Sequence, residues 1–276
     1  MAAPVLTPYV DAAPAPRVEV FFSSFVAGTA TVTVYRMAGG REYQMRGGVR
    51  AVTAGTLTRI DFEVPFNITV SYRAEQFNAA GQSLGFTDPG EVVVPSAETW
   101  MHNPLAPAGS AVVFFGDEGG WSVTRPTPGV VSRPKGRRVG VVLSEPRQGV
   151  TGLKLTVRTS TDEDADRVQA MCGDGHMPPV LCLRLGTADQ QLRLPQPLFL
   201  SALAVAEVDM NTRWGGTEMA HMVEGDEVAP PIPGLFVPVL RARDINVSFA
   251  TAEDVNNAHL TAADVNRRYD LAGAAG

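Results

Sequence analysis

Cysteine is scarce: Cys172 and Cys182 are the only two in 276 residues. Two thiols cannot build a disulfide scaffold or a zinc site. Both are expected as buried small hydrophobes, with a single bridge between a helix end and a strand as the alternative. Long apolar runs are also missing, and none approaches the roughly 20 residues of a membrane span. The net charge is −6, which argues against a general nucleic-acid binder, since that needs a basic face. The N-terminus, MAAPVLTPYVDAAPAP, has no basic n-region and is broken by prolines. That predicts an extended Pro/Ala arm over residues 1–16, not a secretory signal.

Catalytic and ligand-binding signatures are lacking as well. His102, His176, His221 and His259 fall in no HExxH, Cys/His or Ser/His spacing. No Walker or dinucleotide glycine motif is present, and the segment 116–120 (GDEGG) has the chemistry of a hairpin turn. Acids alternate in Asp162-Glu-Asp164-Ala-Asp166, but a calcium loop needs Gly and Glu where Arg167 and Gly173 stand. Asn67-Ile-Thr69 and Asn246-Val-Ser248 match the glycosylation sequon, yet both fall in predicted strands and are discounted. Trp100, Trp121 and Trp214 are far apart, with no clustered aromatic platform. No nucleophile or base stands out, so neither an enzyme nor a cofactor is expected. A carboxylate pair brought together by the fold, as in a polysaccharide hydrolase, stays open as an alternative.

What is present is β-pattern. The chain has 21 Pro and 27 Gly, spread between short apolar runs, the mark of many strands and turns. Val18, Val20 and Phe22 alternate with more polar neighbours, as do Val32 and Val34, then Ile60, Phe62 and Val64, then Ile68, Val70, Tyr72 and Ala74. These runs predict a β-sandwich over residues 17–97, with one apolar and one polar face per strand.

Residues 149–186 read as strand, short helix, strand. Leu153, Leu155 and Val157 give the first strand and Val180 to Leu185 the second. Between them Thr161 is a helix N-cap, Asp164 completes a weak capping box, and three acids occupy the first turn. Residues 96–110 are expected as an extended linker, kept so by two prolines, with Trp100 buried against one domain. His102 is expected to hydrogen-bond backbone in that linker. A second β domain then runs over 98–231, with further strands at Ala111–Phe115, Val139–Leu143, Leu198–Met210 and Thr217–Val223. Arg125–Pro134 is expected as a Pro-rich loop that leads into the one basic cluster, Arg133, Lys135, Arg137 and Arg138. That cluster fits a solvated loop or a contact with an acidic partner or neighbouring subunit. Over 232–276 a tail is expected, with a strand at Leu235–Val247 and then two helical turns. Those turns begin at Thr251 with Asp254 and at Thr261 with Asp264, a repeated Thr-x-x-Asp start.

The stretch SYRAEQFNAAGQSLGFTDPGEVVV, Ser71–Val94, resembles the last strands of a fibronectin type III domain. The departure is at that family's buried strand tyrosine, where Val70 stands. Taken in order, the sandwich, the Trp100-x-His102-x-Pro104 joint, the strand-helix-strand unit, FLSALAVAEVDMNTRW, GDEVAPP and the Thr-Ala-x-Asp-Val repeats resemble minor tail proteins of long-tailed actinobacterial phages. The second domain resembles the tail-component domain of distal tail proteins, a split β-barrel or galectin-like sandwich.

That resemblance implies a structural component of a phage tail tip, without catalytic residues. It implies a ring, hexameric or alternatively trimeric, that joins the tail tube to baseplate or host-binding parts. Its partners would be other copies of itself, the tail tube protein, the tape measure and further tip proteins, with a host surface glycan as the alternative ligand. Its location would be the virion, after assembly in the bacterial cytoplasm. Trp100, His102, the four basic residues and the two Thr–Asp pairs are the candidate interface positions.

Overall fold

The computed structural model describes residues 2–11, 13–116, 122–172, 177–234, 240, 242–259, 261, 264–265, 268 and 271. The chain is mainly β. Its first part holds β1 (Val5–Tyr9), β2 (Arg17–Phe22), β3 (Thr31–Ala38), β4 (Arg41–Gln44), β5 (Ala51–Val52), β6 (Leu57–Asp61), β7 (Val70–Phe77), β8 (Ser83–Phe86) and β9 (Gly90–Val92). A three-stranded sheet in the order β1-β2-β6 packs on a six-stranded one in the order β4-β3-β7-β8, with β5 on β3 and β9 on β7. Val20, Phe22, Val34, Val70, Tyr72 and Ala74 meet in the core between them. The Asn78–Gly81 turn joins β7 to β8, with Gly81 at φ +80°, a conformation glycine adopts without strain.

Two expectations need correction here. The N-terminal arm is not loose, because Val5 to Tyr9 pair antiparallel with Phe21 to Arg17 and supply an edge strand. Prolines are tolerated at such an edge. Nor are the polar side chains of these strands left to solvent. Arg17, Glu19, Arg36, Asp61 and Glu63 are all buried: Tyr9 of the arm donates to Glu19 at 3.2 Å, and Asp61 joins Arg36 to the core residue Tyr72. Arg36 Nη1 donates to both oxygens of Asp61 at 2.8 Å, and Tyr72 donates to Asp61 at 2.7 Å. The buried tyrosine of this strand is thus Tyr72, two residues beyond the buried Val70.

The second part holds β10 (Thr99–Asn103), β11 (Ala106–Phe115), β12 (Gly129–Ser132), β13 (Val141–Ser144), β14 (Leu153–Thr159), α1 (Asp162–Met171), β15 (Val180–Arg184), β16 (Leu198–Ser201), β17 (Ala204–Asp209) and β18 (Met219–Gly225). Seven of these strands form one antiparallel sheet in the order β16-β15-β10-β11-β14-β18-β17. The sheet curls until β16 meets the chain just after β18: Leu200 bridges Glu227, and Ser201 N–H donates to Asp226 O at 3.0 Å. Gly225 permits that approach, since a Cβ there would collide with the Ser201 carbonyl. Inside lie Met101, Val113, Leu155, Val157, Leu181, Leu183 and Leu198. Thr161 caps α1 through the Asp164 N–H at 3.1 Å, and the helix delivers Val168 and Met171 to that core.

The predicted linker is therefore the middle of a sheet. Pro104 and Leu105 form the tight turn between β10 and β11, and the Asn103 side chain accepts the Leu105 N–H at 3.0 Å, so the proline marks a turn and not an extended joint. The strands that flank α1 are not neighbours either, because β10 and β11 lie between β14 and β15. The run Leu198–Met210 is two strands. Neither sequon asparagine is in a strand: Asn67 sits at φ +59° with its side chain bonded to Ser96, and Asn246 lies in α2 (Ala242–Ser248). That helix replaces the strand expected at Leu235–Val247, of which residues 235–239 and 241 lie outside the described residues. A further helix, α3, spans Ala252–Ala258. Residues 117–120 of the expected hairpin turn, Trp121 and His176 also lie outside them. Cys172 and Cys182 are both free thiols.

Candidate functional site

Two regions gather the chemistry that the sequence singled out. The first is the junction between the two halves, and it is buried. Arg184 on β15 donates to the Pro16 carbonyl at 2.7 Å and stacks 4.4 Å from the centroid of Phe66. Arg46 bonds Glu63 at 2.7 Å and the carbonyls of Pro231 and Ile232, which ties the 231–233 segment to the first sandwich. His102 on β10 lies directly across from Cys182 on β15. It is fully buried, and neither ring nitrogen has a hydrogen-bond partner. Burial first, then the guanidiniums of Arg184, Arg46 and Arg36, hold its pKa well below the ordinary value, so the ring is neutral. Burial likewise raises the Cys182 thiol far above its usual range and the Cys172 thiol to about 11. Neither thiol is a thiolate nucleophile at neutral pH. His102 is accordingly a packing residue inside the molecule, not the interface position expected. Trp100, also in β10, packs half-buried against the first sandwich core and lines an open cavity of about 810 Å³ with Asp11, Glu98 and Arg167.

The second region is a ribbon. Among the described residues, strands β12 and β13 pair only with each other, Val130 against Leu143 and Val131 against Val142. Cross-strand partners share a face, so both faces carry aliphatic side chains. Val130, Val131, Val142 and Leu143 are 54–67 % exposed. The pairing continues down a stem through the Pro128, Pro126 and Thr124 carbonyls, which accept from Glu145, Gln148 and Thr151. Arg133, Lys135, Arg137 and Arg138 stand exposed at the far end, with no acidic residue between 129 and 144. The basic cluster therefore crowns a projecting hairpin: the strand expected at Val139–Leu143 is present as β13, and part of the expected Pro-rich loop forms its partner β12.

On the other flank of the sheet, β17 is an edge strand. Its outer side shows Val208, beside Met210 and Met222, each 40–45 % exposed. Trp214 follows, 89 % exposed. Together with Glu207, Asp209, Asn211 and Arg213 it lines a shallow concavity of about 470 Å³. Sequence reasoning missed these residues: an apolar run signals a strand without saying whether anything covers it.

The repeated Thr–Asp pairs do what their spacing predicts. Thr251 accepts the Asp254 N–H at 3.2 Å and Asp254 accepts the Thr251 N–H at 2.9 Å, and Thr261 with Asp264 repeats both bonds at 3.2 and 3.0 Å. They cap exposed turns. Among the described residues no three His, Cys, Asp or Glu side chains could hold a metal ion together, and no helix is long and apolar enough to cross a membrane. Comparison with protein-family models, curated proteins and solved structures finds no match.

Proposed function

We propose that this chain is a structural subunit of a phage tail tip, built to assemble into a ring that joins the tail tube to baseplate or host-binding parts. In this reading the first sandwich is fibronectin type III-like and the curled sheet is a split-barrel, galectin-like tail component. The carrying observation is the uncovered ribbon of β12 and β13 with its basic end. A lone two-stranded ribbon is marginal in water, and one with aliphatic side chains on both faces needs another surface to cover it. Rings use head-to-tail contacts of this unsymmetrical kind. The tail tube protein, the tape measure and neighbouring tip proteins are the proposed partners, and the virion is the proposed location. Immunogold electron microscopy of intact particles with antibody to this chain tests it. Gold is expected at the tail tip; gold on the capsid, or none on the particle, overturns the reading.

A second reading rests on Trp214. A nearly bare indole beside Glu207, Asp209 and Arg213 can stack on a sugar ring while the polar groups bond its hydroxyls. Glycan-array binding abolished by Trp214→Ala supports that reading; a blank array removes it.

A further inference from the structure

The ribbon and the edge of β17 are complementary, and both are uncovered in a single copy. The ribbon presents aliphatic faces and four cations with no acid among them. The edge presents Val208 and Met222 on one face, with Met210 just beyond the strand, and the carboxylates of Glu207 and Asp209 on the other, where Glu207 lies 3.8 Å from His221 Nδ1 and Arg213 is nearby. Among the described residues β17 ends the sheet, and no strand pairs with its outward N–H and C=O groups. Among the described residues the ribbon strands pair with each other and β17 pairs with β18, so ribbon and edge are not joined by strand pairing within one chain.

We propose that the ribbon of one copy docks along the free edge of β17 in the next, extending its sheet. The proposal rests on the assembly reading above and names the two surfaces that close the ring. Main-chain pairing along an exposed edge supplies affinity. Val130, Val131, Val142 and Leu143 supply aliphatic cover for Val208, Met210 and Met222. The tip cations reach the carboxylates at the concavity, which fixes the direction and register of the contact. The stem carries the tip clear of its own molecule: nine residues from Thr124 to Ser132 extend ~30 Å at roughly 3.3 Å each. A membrane is the poorer occupant. The four charges sit at the leading end of the ribbon and would have to enter the hydrocarbon first.

The chain offers a clean probe, because Lys135 and Lys154 are its only lysines. Lys154 is 3.2 Å from Glu224 in the same chain and serves as an internal control. The full chain is mixed in equal parts unlabelled and ¹⁵N-labelled, treated with a zero-length carbodiimide cross-linker, and mapped by peptide mass spectrometry. Mixed-isotope links from Lys135 to Glu207 or Asp209 are expected. Light scattering is expected to show an oligomer that the quadruple change Arg133→Glu, Lys135→Glu, Arg137→Glu and Arg138→Glu weakens at least tenfold. Adding Glu207→Lys and Asp209→Lys to that same chain is expected to restore it, with circular dichroism reporting that each variant is folded. An oligomer that survives the quadruple change overturns this docking and leaves the ring reading standing. A wild-type chain that stays monomeric overturns the docking whatever particle labelling shows. Binding to phosphatidylglycerol vesicles, or to a glycan at Trp214, without the mixed-isotope link also overturns it.

Discussion

Arg184 and Pro16 are 168 residues apart in the chain, yet the guanidinium Nη1 donates to the proline carbonyl at 2.7 Å. That bond joins the curled sheet to the N-terminal sandwich. The guanidinium is fully buried, with the Phe66 ring on one side and two of its nitrogens without a hydrogen-bond partner. Burial lowers its pKa to about 10. The two halves share a desolvated cation, so their stabilities are coupled through it.

Truncation of that side chain is expected to uncouple them. Arg184→Ala leaves a cavity and an unpaired carbonyl, which together cost about 2–3 kcal/mol. Arg184→Met keeps most of the volume without the buried charge and is expected to recover most of the loss, as apolar replacements of buried charges do. Urea unfolding followed at two wavelengths checks both. The alanine variant should show two separated transitions where the wild type and the methionine variant show one.

Acid should loosen the same junction. The folded pKa of His102 lies below the ordinary value near 6.5, so the unfolded chain binds a proton more readily. Stability is then complete above pH 6.5 and falls as pH drops from there towards the folded pKa. The facing groups are Arg36 and Arg46 from the first sandwich and Arg184 from β15, with Asp61 and Glu63 already engaged by Arg36 and Arg46. His221 shifts the same way by burial, opposed by Glu207, and adds to the slope. Melting temperature measured from pH 8 to pH 5 should fall in the wild type and fall less in His102→Gln. An equal slope in both would assign the effect elsewhere.

Much of this architecture was legible from short-range signals. The alternation of Leu153, Leu155 and Val157 and the cap at Thr161 name β14 and α1 because each signal is complete within a few residues. Where the signal is tertiary, legibility ends. Pro104 looks the same in a linker as in a hairpin turn, and only the pairing of Asn103 with Ala106 tells them apart. His102 carries no local mark of burial, since what buries it comes from β15 and from the first sandwich. Val142 and Val157 both sit in valine-rich runs, yet one is two-thirds exposed and the other is wholly enclosed. An apolar face states a need for cover, and the fold alone decides what provides it.

That contrast yields a matched pair of substitutions. Val157→Asp puts an unpaired charge between β11 and β18, where Val157 faces Phe115 and His221 across the sheet. A penalty of several kcal/mol is expected, enough to unfold the second half. Val142→Asp makes the same chemical change on the ribbon and should move stability by no more than about 0.5 kcal/mol. Circular dichroism melts of the two variants check this. The Val142 variant should instead lose association, which separates covering the ribbon from holding the fold.

The C-terminal repeat should behave as a local device. Among the described residues, none beyond Val223 belongs to either hydrophobic core, while Thr251 and Asp254 close a capping box on a seven-residue helix. A helix of that length is not stable alone, so its order depends on the cap and on what it touches. Thr251→Ala is expected to cost about 1 kcal/mol, all of it local, and hydrogen exchange at 252–258 should quicken while both sheets keep their protection. Deletion of 250–276 should shift the melting temperature by less than about 4 °C and weaken assembly. The melt and the oligomeric state together decide between two roles for this segment. Global unfolding would make the tail part of the core, whereas a folded chain that no longer associates would place its work between copies, where an ordering cost is repaid only when a neighbour is present.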